Sequence, residues 1–99
     1  MTEDDLRQLL VTAVQTLDAR GLNRGSTGNA SARWGQGMLI TATGIGAEGL
    51  RPQDLVWVGW DGTAQGDWQP SSEWHFHQAV YRARSDVQAV VHTDRKSVV

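Results

Sequence analysis

Ninety-nine residues with 20% charged, 39% hydrophobic and a net charge of -2 make one globular domain or part of one. The absence of cysteine excludes a disulfide framework and a thiolate metal site, and with no Lys/Arg run nucleic acid and anionic membrane are not expected partners. No apolar run reaches membrane-spanning length, and the start Met1-Thr2-Glu3-Asp4-Asp5 is acidic where a signal peptide would be basic, so a cytoplasmic location is expected.

Thr2 and Asp5 are spaced as a capping box, with Asp in place of the usual Glu. Behind them Leu6, Leu9, Leu10, Ala13, Val14 and Leu17 fall on one face at helical spacing, which predicts an amphipathic helix stopped by Gly21. Gly21 to Ser31 is rich in Gly, Asn, Ser and Thr and reads as a loop. A short strand through Trp34, a Gly35-Gln36-Gly37 turn and Met38-Leu39-Ile40-Thr41 predict a hairpin. It runs into a second small-residue loop, Thr41-Ala42-Thr43-Gly44-Ile45-Gly46. Arg51-Pro52-Gln53-Asp54 is a turn, Leu55 to Trp60 a buried strand closed by Asp61-Gly62, and Thr63 to Gln69 a polar connection.

Pro70-Ser71-Ser72-Glu73-Trp74-His75-Phe76-His77 reads as a loop turning into a helix, with Ser71 or Ser72 as its cap and the Glu73 carboxylate in its first turn. That helix is expected from about Ser72 to Ala83, burying Phe76, Ala79, Val80 and Ala83. Val87 to Thr93 reads as a strand. Trp57, Trp60, Trp68 and Trp74 cluster in the second half and are expected to line the core rather than a subunit contact.

Gly28-Asn29, Thr43-Gly44 and Ser71-Ser72 share a character: small residues, a hydroxyl or amide, and accessible backbone N–H groups. Each alone is an ordinary turn or cap; converging, they would build a phosphate cradle from dipoles, without Lys or Arg. His92 stands at the end of an apolar strand, where a rigid element could present it.

Gly28-Asn29-Ala30-Ser31, Thr41-Ala42-Thr43-Gly44, Pro70-Ser71-Ser72-Glu73 and Val90-Val91-His92-Thr93, in this order and spacing, resemble the class II aldolase/adducin family over residues 1 to 93. The resemblance implies a three-layer α/β/α fold around a central, mainly antiparallel sheet, cut after about half, in a homotetramer with sites between subunits. It implies that Gly28, Asn29, Thr43, Gly44, Ser71 and Ser72 hold a substrate phosphate. Glu73 would be the proton donor and acceptor and also touch the metal before substrate arrives, and His92 would be a ligand of one zinc ion per subunit.

The implied reaction is retro-aldol cleavage of a ketose 1-phosphate of the L-fuculose 1-phosphate type into dihydroxyacetone phosphate and a small aldehyde. Zinc would act as a Lewis acid toward the enediolate, Glu73 would move the proton next to the carbonyl, and the cradle would fix the sugar phosphate in place. The same family includes a ribulose-phosphate 4-epimerase and a methylthioribulose-phosphate dehydratase. Adducin itself supplies the alternative of a non-catalytic interaction domain.

The chain also departs from the family pattern. The family's metal motif is His-x-His plus a third, downstream histidine, whereas this chain reads His92-Thr93-Asp94 and has no third counterpart. On a continuing strand Asp94 would share a face with His92 and offer oxygen. His75 and His77, two apart on a helix, point to nearly opposite sides, cannot chelate one ion together, and are expected to be packing or rim residues. Residues 94–99 turn abruptly basic and are expected to be a non-native tail, read through from a sequencing adapter. Without the missing half, the polypeptide alone is expected to be inactive and poorly soluble or only partly folded, because the sheet would lack part of its cover.

Overall fold

The computed structural model describes residues 1–21 and 28–92, so the tail, Asp94 and the middle of the first loop lie outside the described residues. Helix α1 (Glu3–Ala19) is followed by β1 (Asn29–Trp34), β2 (Gly37–Ile40), two short 3-10 turns (Ala47–Gly49 and Pro52–Asp54) and β3 (Val56–Gly59). Then come β4 (Ala64–Gln65), α2 (Trp74–Ala83) and β5 (Ala89–His92). The strands form one sheet in the order β4-β3-β2-β1-β5, and each described pair is antiparallel.

The start of α1 is built as the sequence predicts. Thr2 Oγ1 accepts the Asp5 N–H at 3.1 Å, and Asp5 Oδ2 accepts the Thr2 N–H at 3.0 Å. Glu3, Asp4 and Asp5 place negative charge at the positive end of the helix dipole. The buried stripe is Leu10, Val11 and Val14, with Leu6 beside it, whereas Leu9 is 52% exposed and Ala13 is exposed. The predicted face is therefore rotated toward Val11. Arg7 and Gln15 fix that rotation by donating to backbone carbonyls of the turns: Arg7 to Pro52 and Leu55, Gln15 to Ala47 and Leu50.

Strand alternation sorts the sheet residues onto two faces. Ala30, Ala32 and Leu39, with Leu55, pack against Leu10, Val11 and Val14 of α1. Met38, Ile40, Val56 and Val58 pack on the opposite face with Tyr81 of α2. One helix on each side of an antiparallel sheet is the three-layer α/β/α arrangement expected from the resemblance.

Gly37 shows how tightly the strands meet. It pairs with Trp34 across the hairpin and with Gly59 of β3, and a Cβ there would run into the backbone of Val58 and Gly59. Neighbouring backbone cannot move aside without breaking the ladder. Gly37→Ala is expected to cost about 3 kcal/mol of stability, read as a lower urea midpoint of the full-length gene product.

Further expectations are corrected. The polar connection Thr63 to Gln69 contains the two-residue edge strand β4, with Trp57 opposite Gln65 and Val58 opposite Ala64. Both of its side chains are exposed, so it carries no hydrophobic signal. Helix α2 starts at Trp74, not Ser72, and presents a different face to the core: His77, Gln78 and Tyr81 are buried, while Phe76 is 52% exposed and Ala79 and Ala83 are exposed. Polar side chains can sit inward here because each is partnered; Gln78 Nε2 donates to the Trp60 carbonyl at 2.9 Å. Of the four tryptophans, Trp57, Trp60 and Trp74 pack against the two cores, whereas Trp68 is 47% exposed and donates its indole N–H to Asp54 Oδ1 at 3.0 Å.

Candidate functional site

Antiparallel pairing decides which chain ends meet. The first residue of β1, Asn29, lies opposite His92, the last of β5, and the start of β1 lies beside the end of β2. There Thr41 N–H donates to the Ala30 carbonyl at 3.0 Å, and Thr41 Oγ1 accepts the Ala30 N–H at 3.3 Å. The segment before α2 returns to the same end. Ala42 bridges Pro70, Thr43 N–H donates to Gln69 O at 3.0 Å, and Ser71 N–H donates to Thr41 O at 2.9 Å. Gly28-Asn29, Thr43-Gly44, Ser71-Ser72, Glu73 and His92 thus gather at one end of the sheet.

Within this cluster Asn29 and Ser71 are buried, while Thr43, Gly44, Ser72 and Glu73 are exposed. Gly44 sits at φ 78, the left-handed region, and is exposed, with nothing among the described residues beyond its chain neighbours within 4 Å of where a Cβ would stand. The helix entry differs in detail from a Ser71 or Ser72 cap. Glu73 occupies the N-cap position, Ser71 Oγ accepts the Glu73 N–H at 3.2 Å, and the Ser71 carbonyl accepts the Trp74 N–H at 3.0 Å. This double contact of Ser71 presents the Glu73 carboxylate at the mouth of the cluster.

Glu73 Oε2 lies 4.0 Å from His92 Nδ1, with side chains 45% and 42% exposed. Nδ1 of His92 is itself buried and has no hydrogen-bond partner among the described residues. An unpartnered imidazole nitrogen beside a carboxylate is a fitting pair of donors for a divalent metal. Three protein ligands are needed for a catalytic zinc, and no group of three or more His, Cys, Asp or Glu that could hold a metal occurs among the described residues. The described residues therefore do not by themselves complete such a centre. His75 does not add to it, being exposed and stacked on Trp74 with ring centroids 3.6 Å apart. Nor does His77, which points under the sheet.

There His77 is 0% exposed and joins a buried polar chain that sequence reasoning missed. Its Nε2 meets Asn29 Oδ1, its Nδ1 lies 2.6 Å from Ser31 Oγ, and Ser31 Oγ lies 2.7 Å from the Tyr81 hydroxyl. Burial, reinforced by the nearby His92, pushes the His77 pKa down to about 4, and burial pushes the Tyr81 phenol up. A signal was present: Asn29 and Ser31 alternate onto one strand face, and His77 and Tyr81 are one helical turn apart.

The family model described as Class II Aldolase and Adducin N-terminal domain matches residues 8–99. The 5-methylthioribulose-1-phosphate/5-deoxyribulose-1-phosphate aldolase of Rhodospirillum rubrum is 47% identical over 88 residues, covering 89% of this chain and 40% of that enzyme. L-fuculose phosphate aldolase of Escherichia coli strain K12 is 44% identical over 86 residues, covering 87% of this chain and 40% of the relative. A solved structure of L-fuculose 1-phosphate aldolase superposes with a TM-score of 0.87 at 32% identity, covering 92% of this chain and 44% of that one. The chain thus spans about two-fifths of the length of the curated relatives it matches. With the motifs in order, the layers in place and the family model matched over nearly the whole sequence, the chain belongs to the class II aldolase/adducin family.

Proposed function

We propose that this span is the phosphate-holding and proton-transferring part of a zinc-dependent aldolase that cleaves a ketose 1-phosphate into dihydroxyacetone phosphate and an aldehyde. The observation that carries the reading is the gathering of three dipolar loops around an exposed carboxylate 4.0 Å from a histidine nitrogen. In it, the Asn29 amide, the hydroxyls of Thr43, Ser71 and Ser72 and the backbone N–H groups at Gly28 and Gly44 hold the phosphate. Anchoring one end of the sugar brings its carbonyl beside Glu73 without a search. As the carbon–carbon bond breaks, the hydroxyl of the carbon that becomes the aldehyde gives up its proton and the bonding pair stays on the phosphate-bearing fragment as an enediolate. Glu73, as proton acceptor and donor, delivers a proton to the carbon next to the carbonyl.

His92 and Glu73 are the residues here that would hold zinc, which when bound polarises the carbonyl and stabilises the negative charge of the enediolate. The remaining ligands would come from outside the described residues. A cytoplasmic homotetramer with the site closed between subunits is the setting we assign.

An L-fuculose 1-phosphate type of substrate is the first choice. The 47% identity to an enzyme named for 5-methylthioribulose 1-phosphate and 5-deoxyribulose 1-phosphate favours those ketose phosphates as the second. Assay of the full-length gene product on all three substrates, with and without chelator, tests the proposal. Chelator-sensitive release of dihydroxyacetone phosphate is expected from at least one. A folded product that cleaves none of them would overturn it in favour of a non-catalytic, adducin-like interaction domain. Interconversion or dehydration of the sugar phosphate without cleavage would instead point to an epimerase or dehydratase.

A further inference from the structure

With the Asn29 amide oxygen turned toward His77, as in this structure, the buried chain beneath the site has one consistent direction. An amide oxygen accepts hydrogen bonds and never donates, so the contact of Asn29 Oδ1 with His77 requires a proton on Nε2. A ring that is 0% exposed is neutral unless a partner charge compensates it, and the ring's two direct contacts, Asn29 and Ser31, are both uncharged. With Nε2 protonated, Nδ1 of a neutral imidazole is an acceptor, and the Ser31 hydroxyl 2.6 Å away must donate to it. Ser31 has then used its only proton. The Tyr81 hydroxyl, 2.7 Å away, must donate to Ser31 Oγ. Each donor from Tyr81 to Asn29 is thereby assigned.

Asn29 is the terminus of this chain, and it is the first residue of β1 at the sheet end where Thr43, Gly44 and Ser71 gather. A trigonal amide whose oxygen is held by the ring turns its N–H pair away from the ring. No described residue takes up that pair. We propose that His77 is a positioning residue for the anion site: through a one-way hydrogen-bond chain from Tyr81 and Ser31 it fixes the Asn29 amide with both N–H groups available to the substrate phosphate. The inference rests on the reading of Asn29 as a phosphate contact. It assigns the control of that contact to α2, on the opposite side of β1 from α1.

Reversal of the chain shows why the direction matters. With the proton on Nδ1, the ring donates to Ser31 and its Nε2 faces Asn29 as an acceptor. The amide must then flip, spend an N–H on the ring and turn its oxygen outward. A carbonyl oxygen facing a phosphate is repulsive, so the tautomer of one buried ring sets the sign of the contact.

The test uses the full-length gene product, labelled with nitrogen-15 in histidine, and inorganic phosphate as the probe. The wild-type protein is expected to show a neutral His77 with its proton on Nε2 and an unprotonated Nδ1. Phosphate affinity is expected to fall about tenfold in His77→Asn, whose amide reaches only the Ser31 side, and to stay within about twofold of wild type in His77→Gln, whose amide nitrogen can replace Nε2–H. A proton on Nδ1 would overturn the inference and leave the anion site itself standing, and that measurement needs no variant to fold. Equal losses in the Asn and Gln variants would also overturn it, since they would show a purely structural role. Phosphate binding indifferent to Asn29→Ala would remove Asn29 from the anion site, and the inference with it, whatever the tautomer.

Discussion

Lowering the pH from about 6.5 to about 4 is expected to strip roughly 3 kcal/mol from the folding stability of the full-length gene product, through His77 alone. The sign follows from which state binds the proton. Unfolded, His77 takes a proton near 6.5; folded, burial holds its pKa down to about 4. Between those values the unfolded chain binds more protons than the native one, so stability falls as pH falls and levels off below the folded pKa. Above the unfolded value the contribution is complete.

The carboxylates titrate in a separate window. Asp54 is lowered from 3.8, first by its hydrogen bond from Arg51, so its contribution is lost only at still lower pH. Urea midpoints collected across the range would show the two steps. In His77→Gln the upper step should vanish while the lower one stays. A wild-type profile that is flat between pH 6.5 and pH 4 would contradict the burial of this ring.

At neutral pH the same residue matters for packing. His77→Ala would empty a ring-sized space between α2 and β1 and strand Asn29 and Ser31 with unmet hydrogen-bonding groups. Each such group costs about 1–3 kcal/mol and the cavity adds to that, so a loss of about 4 kcal/mol is expected. Against a total stability of about 5–15 kcal/mol, this leaves little margin.

These expectations could not have been reached from hydropathy. The α1 capping box, the Gly35 turn of the hairpin and the apolar run into β3 are local features, set by residues a few positions apart, and they were legible for that reason. The inward face of α2 was not. Phe76, Ala79, Val80 and Ala83 look like the core stripe, yet His77 and Gln78 are the ones inside, because their partners Asn29, Ser31 and the Trp60 carbonyl are supplied by strands and turns distant in sequence. A buried polar residue is recognisable only with its partner in view.

The candidate site shows the same division. The motifs named the loops, and the resemblance ordered them. The register that sets Asn29 opposite His92 and the bridge that ties Ala42 to Pro70 are tertiary facts. Strand β4 is not legible in the sequence because a two-residue edge strand with exposed side chains leaves no pattern to read.

Glu73→Gln is the substitution expected to damage activity most. If Glu73 carries the proton, its loss should lower kcat by about 10²–10⁴-fold, the usual worth of a placed general acid–base. The fold should not notice. The side chain is 45% exposed, and the contact that holds this position is the backbone N–H on Ser71 Oγ, which the variant keeps. Stability within about 0.5 kcal/mol of wild type is therefore expected.

Ser71→Ala makes the contrast. It removes the hydroxyl that accepts the Glu73 N–H and that the proposed cradle offers to phosphate, so KM should rise as well as kcat fall. The pair separates proton transfer from anchoring, provided metal content is measured in both. A Glu73→Gln protein that loses kcat but keeps its zinc assigns the residue to the proton. One that loses zinc and kcat together assigns it to the metal, beside His92 Nδ1 at 4.0 Å. A variant with unchanged cleavage would remove Glu73 from the chemistry altogether, and with it the reason for gathering a carboxylate, a histidine and three dipolar loops at one end of this sheet.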